Sequence, residues 1–137
     1  MDKIEHIGIA VKDLTHSSGL YRRLLGYESY KTEEVNSEKV ITEFFKAGES
    51  KIELVQATSG ESAIASFIEK RGEGIHHIAF AVENIIEEMA RLKAEGFQLL
   101  SDNPQKGADN KWVCFVHPKT AGGVLIELCQ EMSEGER

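Results

Sequence analysis

Apolar positions follow two rhythms along this chain, and those rhythms recur in the same order twice. Residues 4–11, Ile-Glu-His-Ile-Gly-Ile-Ala-Val, are short, β-rich and apolar, which predicts a strand. Asp13 then stands at an N-cap position before a segment carrying Leu14, Leu20, Tyr21, Leu24 and Leu25 on one helical face, and Gly26 marks its end. Strands are predicted next at 27–31, 40–46 and 51–56, the last two joined by an Ala-Gly-Glu-Ser turn. The order is βαβββ.

The second half repeats it. A strand is predicted at 75–82, and Asn84 with Glu87 three residues on opens a helix bearing Ile85, Ile86, Met89 and Leu92, which Gly96 closes. Strands at 97–101, 111–116 and 124–129 complete the copy. Between the copies, 62–71 predicts a linking helix with Ile64, Ala65, Phe67 and Ile68 on one side and Gly72 at its end. The polar stretch 132–137 is expected to fray. The fold class is thus α+β, with two tandem βαβββ modules (about 1–58 and 74–130) forming a curved eight-stranded mixed sheet in one domain, 1–137.

The repeat extends to chemistry. Ile4-Glu5-His6-Ile7 returns as Ile75-His76-His77-Ile78, and Lys51-Ile52-Glu53-Leu54 returns as Leu125-Ile126-Glu127-Leu128. The His residues are 71 apart, the helix-ending glycines 70 and the glutamates 74, so the drift is confined to loops. A lone His in an apolar strand is more often a hydrogen-bonded core residue than a ligand, and a lone Glu usually faces water. Here Ile52 and Leu54, and Ile126 and Leu128, flank the glutamates, so alternation sends each Glu to the opposite face. If that face is buried, two carboxylates on it are costly without a cation. Two imidazoles and two carboxylates, His6, Glu53, His77 and Glu127, suit one divalent ion such as Co, Ni, Mn, Fe or Zn. The register prefers His77 to His76, because His76 lies over Glu5. His16 has no counterpart in the second half and reads as a surface residue, while His117, at a strand end, fits a ligand contact or a turn equally well.

A formal charge of −7 disfavours nucleic acid and anionic membrane as partners, and any anionic ligand must find a local cluster of basic residues. No signal-peptide pattern or membrane-length apolar run is evident, so a cytoplasmic protein is expected. Cys114 and Cys129 lie within apolar strand patterns and read as small buried hydrophobes.

The stretches Glu5-His6-Ile7-Gly8-Ile9-Ala10-Val11, Glu69-Lys70-Arg71-Gly72-Glu73-Gly74-Ile75-His76-His77-Ile78-Ala79-Phe80, and Phe115-Val116-His117-Pro118-Lys119 with Gly122-Gly123-Val124-Leu125-Ile126-Glu127-Leu128 closely resemble the methylmalonyl-CoA epimerase family. That family belongs to the vicinal-oxygen-chelate superfamily, alongside glyoxalase I. The resemblance runs to Gln130 and implies the glyoxalase/bleomycin-resistance-like fold, an acyl-CoA substrate, a homodimer, and metal ligands at His6, His77 and Glu127. Where the epimerases commonly carry Gln as fourth ligand, this chain has Glu53, as glyoxalase I does.

The resemblance also implies two bases. One is Glu127; the other belongs to the loop before the third strand, where Glu38 is the nearest candidate and Glu43 the reserve, although an ungapped alignment puts Ser37 there. The α-carbon of a methylmalonyl thioester lies between a carbonyl and a carboxylate, so its proton can be removed to an enolate, and epimerisation needs a base on each face. The CoA phosphates call for cations, for which Lys106, Lys111 and Lys119 are candidates, with His117 near the substrate. The rival readings are a lactoylglutathione lyase, favoured by Glu53, and a non-catalytic binding member of the same fold.

Overall fold

The computed structural model describes residues 1–137 and carries eight strands and three α-helices. In order these are β1 (Lys3–Ala10), α1 (Leu14–Leu25), β2 (Lys31–Val35), β3 (Val40–Ala47), β4 (Ser50–Ala57), α2 (Ala63–Arg71), β5 (Gly74–Ala81), α3 (Ile85–Ala94), β6 (Gln105–Gly107), β7 (Lys111–Val116) and β8 (Ile126–Glu131). The strands form one mixed sheet in the order β2-β3-β4-β1-β5-β8-β7-β6. The eight-stranded mixed architecture expected from the repeat is therefore present, with βαβββ order in both halves. No helix is long and apolar enough to cross a membrane.

The chain divides into two compact units, and the division falls within β1: His6–His76 is one unit, and Met1–Glu5 joins His77–Arg137 in the other. In the first unit, β1 pairs parallel with β4, which pairs antiparallel with β3, and β3 with β2. Helix α1 begins where the Asp13 side chain accepts the His16 N–H and ends at Gly26, whose φ of 89° is the left-handed conformation that glycine adopts freely. It covers one face of these strands, packing Leu14 with Val11, Phe45 and Leu54. Leu54 is fully buried there, and cutting such a side chain back to Ala costs about 2–5 kcal/mol.

The other unit repeats the plan. β5 pairs parallel with β8, β8 antiparallel with β7, and β7 with β6. Helix α3 starts where Asn84 accepts the Glu87 N–H, and its Ile85, Met89 and Leu92 pack on Cys114, Val116 and Leu128. Cys114 and Cys129 are both buried and unbridged. Burial pushes the Cys114 thiol up from its ordinary range, which suits a packing residue and not a nucleophile.

Three boundaries differ from the sequence expectation. The strand expected at 27–31 lies at Lys31–Val35, because the hairpin register pairs Val35 with Val40 and leaves 36–39 as the turn, with Tyr30 just outside it donating its N–H to the Phe44 carbonyl. The strand expected at 97–101 is reduced to a single Leu99–Val116 bridge, and the paired edge is Gln105–Gly107, after Pro104. Proline lacks the N–H that would have continued the ladder. At the C-terminus, where fraying was expected, Glu134–Glu136 forms a 3-10 turn, with the Ser133 N–H and hydroxyl both donating to the Glu136 carboxylate.

Candidate functional site

Strand alternation and register decide which side chains share a face. In the first unit, Gly8 pairs with Glu53 and Glu53 with Phe44, so these positions lie on one side of the sheet together with His6, while Leu54, Phe45 and Ile9 lie on the α1 side. On the side away from the helix, the His6 Nε2 sits 3.2 Å from the Glu53 Oε1, and the edge of the His6 ring meets Phe44 at a centroid distance of 6.3 Å.

The other unit builds the same group. Ala79 and Phe115 both pair with Glu127, the His77 Nε2 lies 3.0 Å from the Glu127 Oε1, and His77 meets Phe115 edge-on at 5.8 Å. The four polar residues are only 5–6% exposed: His6 5%, His77 5%, Glu53 6% and Glu127 6%.

Taken singly, either pair is a satisfied hydrogen bond. Taken together, they are an imidazole and a carboxylate presented twice at equivalent places, a donor set that fits a divalent transition ion better than it fits two unrelated core contacts. Burial of two carboxylates in a chain already carrying −7 is costly, and a cation offsets that cost. The residues therefore fit the ion that the fold family implies.

The remaining candidates are placed elsewhere. Glu38 is exposed in the Asn36–Lys39 turn, beyond the Val40–Ala57 pair that ends the β3–β4 ladder. Glu43 pairs with Leu54 and faces α1, where its carboxylate accepts from Ser18 at 2.9 Å and from Ser29. Glu43 is thereby on the face opposite Glu53. Lys111 is buried, its ammonium on the Asp109 carbonyl at 3.1 Å and the Glu131 carboxylate at 3.4 Å. Lys106 pairs with Trp112, its ammonium 5.8 Å from the indole, on the face opposite Phe115 and Glu127. His117 caps the short 3-10 turn Pro118–Thr120, its Nδ1 accepting the Lys119 N–H, and Lys119 is exposed on that turn.

Sequence reasoning missed two groups of residues. Gln56, at the end of β4, accepts the Leu14 N–H at 2.6 Å, and Gln130, in β8, accepts the Ile85 N–H at 2.7 Å. Each therefore ties the first turn of a helix to the strand that carries a site glutamate. Their signal was visible, since both stand three residues after that Glu in the repeated phrase. The second group is Tyr30, Lys46 and Lys51, on the Glu53 face of the first unit; its signal was a change of charge in the repeat, Lys51 against Leu125.

Duplicated βαβββ units, each presenting a buried His–Glu pair on the face away from its helix, define a vicinal-oxygen-chelate type of protein. The chain belongs to the glyoxalase/bleomycin resistance protein/dioxygenase superfamily, whose family model matches residues 5–115. Within it, the chain is 39% identical over 130 residues to an ethylmalonyl-CoA/methylmalonyl-CoA epimerase of Cereibacter sphaeroides, covering 93% of this chain and 97% of that one. It is 35% identical to the mitochondrial methylmalonyl-CoA epimerase of Mus musculus, over 95% of this chain and 74% of that one. Among solved structures it is similar to the Streptomyces coelicolor methylmalonyl-CoA epimerase in complex with 2-nitronate-propionyl-CoA, with a TM-score of 0.94 and 33% identity over 97% of this chain and 99% of that one.

Proposed function

We propose that this protein epimerises methylmalonyl-CoA at its α-carbon, with His6, Glu53, His77 and Glu127 together holding one divalent ion. The observation that carries this reading is the buried His–Glu pair repeated in both units, in a chain similar over nearly its whole length to epimerases of that substrate.

When bound, the ion supplies Lewis-acid stabilisation of the negative charge that develops on the thioester oxygen, worth several kcal/mol. The chain's own residues move the proton. The Glu127 carboxylate takes the α-proton on one face, breaking the C–H bond and leaving the electron pair delocalised into the thioester and carboxylate. A second carboxylic acid then returns a proton to the opposite face. Glu53 is the residue proposed for that role, because it is the repeat counterpart of Glu127 and shares its kind of environment, whereas Glu38 stands in an exposed turn and Glu43 faces α1. In each pair one Glu oxygen lies beside the imidazole Nε2, where both would face the ion, and the other oxygen stays available for proton transfer. Phe44 and Phe115, packed edge-on against the histidines, fix the imidazole planes and exclude water.

The test is metal-reconstituted protein with (2S)-methylmalonyl-CoA in deuterated water, followed by NMR. Loss of the α-proton signal with appearance of both epimers is the expected result. A protein that exchanges no α-proton but converts the glutathione hemithioacetal of methylglyoxal is a lactoylglutathione lyase instead.

A further inference from the structure

One corner of the first unit is built from hydrogen bonds where the second unit is built from apolar packing. Helix α1 starts at Leu14 and α3 at Ile85, so Ser18 and Met89 hold the same place on the two helices. Glu43 pairs with Leu54 as Cys114 pairs with Leu128. The N–H groups of Tyr30 and Leu100 bond the carbonyls of Phe44 and Phe115, which makes Ser29 the counterpart of Leu99. In the second unit Met89, Leu99 and Cys114 pack into one apolar cluster. In the first, the Glu43 carboxylate accepts from the Ser18 hydroxyl at 2.9 Å and from the Ser29 hydroxyl, both on the same oxygen.

A partly buried carboxylate carries a desolvation cost that the apolar version avoids, so stability alone does not account for the exchange. What its charge-assisted bonds add is direction. They hold the segment between α1 and β2. Residues 27–30 lie along β3 through three bonds: the Tyr27 hydroxyl to the Lys46 carbonyl, the Ser29 hydroxyl to Glu43, and the Tyr30 N–H to the Phe44 carbonyl. The half-exposed Tyr30 ring rests on Phe44 with centroids 6.0 Å apart, and the buried Phe44 meets the edge of the His6 ring. Contact thus runs from Glu43 on the α1 face, past the start of β2, to an imidazole on the other face.

We propose that Glu43 is a positioning residue: through Ser29 it holds Tyr30 against Phe44 and thereby sets the plane of the His6 imidazole. Its effect on metal affinity rests on the reading of His6 as a ligand. The second unit obtains the same support from packing, since Leu99 lies against the cluster that contains Cys114. The two bonds to Glu43 divide the work. Ser18 ties the carboxylate to the helix, whereas Ser29 stands next to the residue whose ring covers Phe44.

The test uses protein with isotope-labelled histidine: the imidazole resonances of His6 and His77 are read by NMR without metal, and cobalt(II) affinity is read by titration. Glu43→Ala and Ser29→Ala are expected to shift the His6 resonances and leave those of His77 in place. Both should weaken cobalt(II) binding about tenfold, the low end of what loss of support around a metal ligand costs. Glu43→Gln, which keeps an acceptor oxygen, should give readings close to wild type, and Ser18→Ala should leave them unchanged. If Glu43→Ala fails to fold, Ser29→Ala carries the same forecast. Unmoved His6 resonances or undiminished cobalt(II) affinity in Ser29→Ala, an equal response to Ser18→Ala, or His6 and His77 shifting together each overturns the proposal. A wild type that binds no cobalt(II) refutes the metal centre, while the resonances still decide the role of Glu43.

Discussion

The two units of this chain solve the same structural problem with the same parts up to the rim of the site, and then diverge. In each, a Gln one residue before the end of a strand fixes the first turn of a helix, the Glu three residues earlier meets a buried His, and a Phe on the neighbouring strand packs against that His. Beyond that shared centre, Tyr30 and Leu100 occupy equivalent places, their N–H groups bonding the carbonyls of Phe44 and Phe115 respectively, and Lys51 stands against Leu125. Duplication supplies matched donors, and outside them the two units differ.

The strongest way to break this comparison is to remove the matched donors. His6→Ala combined with His77→Ala should abolish divalent metal binding, and elemental analysis of reconstituted protein should fall from about one ion per chain to background, because a transition-ion site rarely survives loss of half its ligands. Full stoichiometry in the double variant would refute the four-ligand centre. The single variants sharpen the result: if the units contribute alike, each should weaken metal affinity to a similar extent.

Next in size is the pair of glutamates. Glu127→Gln and Glu53→Gln should each lower turnover by at least about a hundredfold, the usual cost of losing a general base. Should only Glu127→Gln be crippled, the two units contribute unequally and the second proton carrier lies elsewhere.

Much of this symmetry was legible in the sequence because it is local. His6 and His77 sit in near-identical phrases, the N-caps Asp13 and Asn84 precede apolar helical faces, and Glu53 and Glu127 sit between aliphatic neighbours that force them to one side. What escaped depends on pairing between segments. The edge strands were misplaced because Tyr27 and Tyr30 look β-forming in isolation, whereas the hairpin register selects Lys31–Val35. Glu43 looked like a base because it lies near a loop motif, but its face is set by pairing with Leu54. The lysines expected to meet the ligand were chosen by closeness in sequence, and one of them, Lys111, is buried against Glu131 and Asp109.

The helix ties offer a smaller and more even test. Gln56→Ala and Gln130→Ala each leave a first-turn amide without its acceptor, and each should cost about 1–2 kcal/mol of unfolding free energy by denaturant titration. Similar values would mark the two ties as equivalent parts of one repeated design. A large value for one and none for the other would show that one helix reaches another acceptor or water.

The smallest effects are expected at the two glutamates that the structure sets apart from the site. Glu43→Gln keeps a carbonyl oxygen that can still accept from Ser18 or Ser29, and Glu38→Gln changes an exposed turn, so each should alter stability by no more than about 0.5 kcal/mol. Turnover in the exchange assay should stay within about twofold of wild type, since a factor of ten requires roughly 1.4 kcal/mol at the transition state. The value of this near-null result is that it isolates the geometry. Glu43 differs from Glu53 not in chemistry but in the face to which pairing assigns it, so a crippled Glu43→Gln protein with normal metal content would mean that a carboxylate on the α1 side takes part in proton transfer, and the assignment of the second base to the repeat partner of Glu127 would fall.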